Sequence, residues 1–138
     1  MKVIYNKYLP PKDFGAINIF GMMFLRYGMP EPTPKRINHE SIHSAQGKEL
    51  LWLFFYLWYG IEWVIRLIQY DSKRKAYYNM SFEREAYANQ RNLEYLKKRK
   101  RFAFIKYLKL DNNGKTDIQR ITDTGQKSGW RSTAHQPE

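Results

Sequence analysis

Two of the chain's three histidines stand four residues apart, as His39 and His43, with Glu40 directly after the first. On a helix, positions i and i+4 lie one turn apart on one face, so both imidazoles can reach a single metal ion. A zinc ion held this way by three protein ligands keeps a fourth position open for water. The metal makes that water acidic and polarises a scissile carbonyl. A carboxylate beside the first histidine can take the water's proton and hand it to the leaving amine. That chemistry assigns His39 and His43 as ligands and Glu40 as general base.

The chain has no cysteine, so the third ligand must come from histidine, aspartate or glutamate. Glu49 lies six residues past His43 and points off the metal face of a continuous helix. Glu62 has Arg66 at the favourable i,i+4 spacing and reads as its partner. The segment Phe82–Tyr87 offers Glu83 and Glu85. These two project to nearly opposite sides of one helix, so one of them faces the histidines; spacing alone does not choose. His135 lies far down the tail and is given no role.

The elements that must carry these residues are partly readable. Thr33-Pro34 reads as an N-cap with proline at the first helical position, starting a helix just ahead of the histidines. Pro30, Pro32 and Pro34 make 29–34 an extended connector. Upstream, Val3-Ile4-Tyr5 is a short strand ended by Pro10-Pro11. Phe14 to Tyr27 reads as a β-hairpin or bent strand turning near Gly21. Its plain role is core; its functional role is an edge to which an extended peptide adds as a further strand.

Leu50 to Ile68 is nearly all apolar and, at 1.5 Å per residue, just long enough for a hydrocarbon core of roughly 30 Å. Glu62 and Arg66, on one polar stripe with Tyr59, Gln69 and Lys73, speak against a span, and Gly60 offers a break. A core or interfacial helix is expected, with a single span as the alternative. Asp71 to Tyr78 reads as a basic connector. Asn79 or Ser81 caps a helix through Glu83, Ala86, Leu93 and Leu96, ending at the cationic run 97–101. Phe102 to Leu110 is a last short helix.

The expected fold is α+β, mainly α, in one domain over 1–110, with 111–138 a disordered polar tail. Short N-terminal strands and a hairpin precede the histidine helix, a long aromatic-rich apolar helix and a glutamate-bearing helix.

A net charge of +11 favours anionic surroundings, such as acidic lipid head groups, nucleic acid or an acidic partner. The 17% aromatic residues suggest a rigid core or residues seated at a membrane interface. Nucleic acid is not expected, because no aromatic-interleaved reading surface accompanies the 97–101 run. The N-terminal stretch does not read as a secretory signal, so the cytoplasm or its membrane face is expected, integral insertion being the alternative. A straight crossing by 50–68 would put the histidines and Glu83 on opposite sides of a bilayer. The apolar stretch must therefore fold back, pack as core, or dip into one leaflet.

His39-Glu40-x-x-His43 resembles the signature of the zincin metallopeptidases. Gln46 and Glu49 stand where the metzincin branch has glycine and histidine, so the likeness is to gluzincins, whose third ligand is a glutamate on a later helix. Glu83-Arg84-Glu85-Ala86-Tyr87 resembles the Glu-x-Glu-Ala-Asp sequence of HtpX-type and CAAX-prenyl-protease-type membrane metallopeptidases. The whole chain also resembles small gluzincin-like proteins of Bacteroidetes-type bacteria. The likeness covers residues 33–90 and implies zinc held by His39, His43 and Glu83, Glu40 as base, and a peptide or protein substrate. It departs at Tyr87, where that family has an aspartate that supports the site. An inactive zincin-like protein that binds a membrane or a partner is the alternative reading.

Overall fold

Residues 1–11 and 14–109 are described by the structure, a computed structural model; the expected tail at 111–138 lies outside them. Three strands come first: β1 (Lys2–Asn6), β2 (Ile17–Ile19) and β3 (Met22–Arg26). The helices are α1 (Pro34–Glu49), α2 (Leu53–Gln69), α3 (Lys73–Tyr78), α4 (Ser81–Asn89) and α5 (Tyr95–Lys98), with a 3-10 helix at Ala103–Tyr107. The mainly helical α+β architecture is the expected one.

β3 is the middle strand, antiparallel to β2 and parallel to β1. Ile19 pairs with Met22 across a two-residue loop in which Phe20 and Gly21 both have positive φ, 49° and 80°. Two left-handed residues match the twist of a tight hairpin, which is why the turn falls at Gly21. Asn18 ties the hairpin to α1: its side-chain amide donates to the Glu40 carbonyl at 2.7 Å and to Ser44 Oγ at 2.9 Å.

α1 begins as the sequence indicates, with Thr33 Oγ1 accepting from the Arg36 amide and Pro34 at the first position. Its end was not foreseeable. Leu51 and Trp52 both take positive φ, and the Trp52 amide donates back to the Gly47 carbonyl at 2.7 Å. The indole folds over Gly47, where a Cβ would stand 2.3 Å from the ring, so this close approach requires glycine. α1 and α2 consequently meet at 111°. The apolar stretch bends at its start rather than at Gly60, through which α2 runs unbroken. Among the described residues no single helix is long and apolar enough to cross a membrane.

α2 then packs Phe55 against Phe82 of α4, and Phe82 against Phe104 of the 3-10 helix, with ring centroids 4.8 and 4.5 Å apart. The Glu62 carboxylate, also on α2, accepts from both the Ser81 amide (2.8 Å) and Ser81 Oγ (2.6 Å) while Arg66 holds it from behind. Negative charge suits a helix N-terminus. So α4 is started by a carboxylate from another helix; Met80 is its N-cap, in place of the expected Asn79 or Ser81.

Two further expectations are corrected here. The 71–78 connector contains a helix, α3, and the long helix through Leu96 stops at Asn89. The stop has a partner: Asn38 Nδ2, on α1, lies within bonding distance of the carbonyls of Asn89, Gln90 and Asn92 (3.2, 3.0 and 3.0 Å). It meets carbonyls that a helix end leaves unsatisfied.

Nor is the 97–101 run wholly solvated. The Arg99 side chain is buried between Glu49 and Glu85 and bonds both. Removing a buried ion's counter-charge typically costs about 3–5 kcal/mol, so Arg99→Ala should lower the unfolding free energy by that amount in urea titrations. A loss below about 1 kcal/mol would mean the pair behaves as a surface bridge.

Candidate metal centre

α1 presents His39 and His43 on one face, and the first turn of α4 brings Glu83 against them. All three are buried. His39 Nε2 lies 3.1 Å from His43 Nε2 and 3.5 Å from Glu83 Oε2, and His43 Nε2 lies 3.4 Å from Glu83 Oε1. A tetrahedral site with bonds of about 2.0–2.1 Å has ligand–ligand edges of about 3.3 Å, which these separations approach. The three residues form a group able to hold a metal ion.

The donor set passes a second test. Glu83 Oε1 accepts from the Tyr59 hydroxyl at 2.9 Å, but Oε2 is buried with no hydrogen-bond partner. His39 Nε2 approaches this oxygen only to 3.5 Å, and a cation between the three side chains would satisfy it. Burial opposes charge on both His43 and Glu83, yet their mutual attraction outweighs it. The carboxylate raises His43 to about 9, and the imidazoles hold Glu83 well below the usual carboxylate range. Tyr59 moves the other way: burial and the adjacent carboxylate raise its hydroxyl well above the ordinary value, so it stays neutral and donates.

The two histidines are held differently. His43 Nδ1 lies 2.8 Å from Gln46 Oε1, while Gln46 Nε2 donates to the Phe82 carbonyl (3.2 Å) and to Glu85 Oε2 (3.0 Å). With its amide nitrogen so engaged, Gln46 offers oxygen to His43 and keeps a proton on Nδ1, so that a metal displacing the other proton would meet the lone pair on Nε2. Glu85 faces away, bonded by Arg99 and Tyr95 as well. Between the two carboxylates left open by spacing, Glu83 is the one brought to the histidines. His39 is set by ring packing, with Tyr87 at 4.6 Å and His43 at 4.8 Å between centroids. Its Nδ1 is buried without a hydrogen-bond partner. Tyr87, at the resembled family's aspartate position, thus meets His39 with its ring.

Outer-shell partners of ligating histidines are typically worth about 10–100-fold in metal affinity. Gln46→Leu should therefore weaken metal binding within that range, read by competition with a chromophoric chelator. Affinity unchanged within twofold would deny Gln46 any orienting part. Gln46 sits one turn from His43 and was detectable; Tyr59 and Arg99, far off in the chain, gave no local sign.

Glu40 is not among the three converging residues. It stands between two cavities, lining both. One extends past His39, Tyr77, Tyr87, Lys35 and Arg36; the other extends past His43, Glu83, Trp52, Tyr56 and β2. β2 is an edge strand of the sheet. Together they make a cleft across the metal-binding group.

No family model matches the chain, and no curated protein or solved structure matches it either.

Proposed function

We propose that the chain is a zinc-dependent peptidase of gluzincin type, with His39, His43 and Glu83 holding the metal and Glu40 acting as general base. The observation that carries this reading is the convergence of two imidazoles and one carboxylate beside a cleft that a fourth residue, Glu40, also lines. Bound zinc would supply an acidified water and polarise the substrate carbonyl.

The rest falls to the chain's own side chains. Glu40 accepts the water's proton and returns it to the leaving amine. Gln46 and Tyr59 fix the orientation of His43 and Glu83. Tyr87 lines the cavity at Glu40 and is the proposed donor to negative charge growing on the carbonyl oxygen. The edge strand β2 aligns an extended peptide along the cleft. Metal analysis of the purified full chain, paired with cleavage of a quenched-fluorescent peptide library, tests the proposal. Stoichiometric zinc with chelator-sensitive cleavage supports it.

A second reading has its own support. Tyr87 replaces the resembled family's aspartate, and His39 Nδ1 has no partner. A zincin-like protein that keeps a metal but has lost turnover, and binds a partner or a membrane, fits those two facts. Zinc without cleavage of any library member selects it.

A further inference from the structure

α2 turns its charged residues inward and its apolar residues outward. Glu62 and Arg66 are each 5% exposed, whereas Leu57, Ile61 and Ile68 are 57%, 55% and 81% exposed. At about 100° per residue, Leu53, Phe54, Leu57, Ile61, Val64 and Ile65 share with Ile68 an arc of about 120° that holds no polar side chain. Of the expected polar stripe, Tyr59, Glu62 and Arg66 face the interior, where Glu62 starts α4 and Tyr59 bonds Glu83, while Gln69 and Lys73 are exposed. Exposed Leu51 extends the apolar face at one end, and Trp58, packed on Phe104, joins it to exposed Ile105. A helix against water shows the opposite pattern. An apolar surface this continuous marks a site of contact with something apolar.

Charge identifies the occupant. Lys48 precedes the face, Lys73, Arg74 and Lys75 follow it, and Arg101 and Lys106 flank the segment that carries Ile105; all six are exposed. Among the described residues from 48 to 109, the exposed carboxylates are Asp71 and Glu94. Each is already paired, with Lys75 at 3.0 Å and Lys97 at 2.6 Å. A second copy would bring the same cationic rim against itself. An anionic bilayer answers both features together, with acyl chains for the arc and acidic headgroups for the rim.

We infer that the outer face of α2 is a membrane-docking surface, lying flat in one leaflet of an anionic bilayer with the flanking lysines and arginines at the headgroups. Nothing in this depends on the metal or on turnover.

The absence of cysteine makes the test direct, since Ile61→Cys can carry an environment-sensitive fluorophore as a single label on the full chain. Vesicles of phosphatidylcholine with an equal part of phosphatidylglycerol should shift its emission to the blue and float the protein. Phosphatidylcholine alone should do so far less. Leu57→Asp with Ile61→Asp, both at exposed positions, should cut partition by about tenfold or more. Replacing Lys73, Arg74 and Lys75 by Gln should erase the preference for the anionic vesicles. Circular dichroism shows that each variant is folded. A folded chain that floats with neither vesicle overturns the inference. So does a dimer in sedimentation that the double aspartate variant turns into monomer, which would give this face to a second copy.

Discussion

On the proposed mechanism, Glu40→Gln should abolish hydrolysis and leave the metal in place. General acid–base catalysis by a positioned side chain is typically worth about 10²–10⁴-fold, and the proposed mechanism routes both proton transfers through this one carboxylate. Glutamine keeps the side chain's length but cannot accept the water's proton. The substitution spares the three converging residues, and the bond that Asn18 makes here goes to the Glu40 carbonyl, which glutamine retains. Cleavage rate and zinc content, measured on the same preparation, should therefore separate. A variant that cleaves at the wild-type rate removes Glu40 from the chemistry.

Glu83→Ala acts on the metal itself. It deletes one of the three proposed ligand side chains and the acceptor of the Tyr59 hydroxyl. The loss in zinc affinity should exceed the roughly 10–100-fold typical of outer-shell changes. Glu85→Gln is the informative contrast. Glu85 is fully buried but bonds Arg99, Tyr95 and Gln46 rather than the histidines. Its loss should lower thermal stability through the Arg99 pair, with a smaller effect on zinc that is transmitted through Gln46. Equal loss of zinc in both variants would contradict the assignment of Glu83 as ligand and Glu85 as support.

Local chemistry made part of this legible. Thr33 and Pro34 announced α1, Gly21 the hairpin turn, and the His39–His43 spacing a shared helix face. The third ligand was narrowed to Glu83 or Glu85, but the choice turns on Arg99 and Gln46, whose partners lie 14 and 39 residues from them. Periodicity gave α2 a polar stripe without saying which way it faces, and Glu62 and Arg66 of that stripe meet the core. The bend before α2 has no signal in the sequence, because Leu51 and Trp52, at positive φ, are residue types that carry no turn signature. Of the glycines nearby, Gly47 matters for a tertiary reason, an indole resting on it, while nothing lies within 4 Å of a Cβ at Gly60.

X-ray absorption at the zinc edge of the purified full chain bears most directly on the central claim, one metal ion shared by His39, His43 and Glu83. The account predicts a single zinc per chain with two imidazole nitrogens and oxygen ligands at about 2.0–2.2 Å, and no sulfur. A chain that takes up no stoichiometric metal, or binds one without imidazole in its shell, would contradict it.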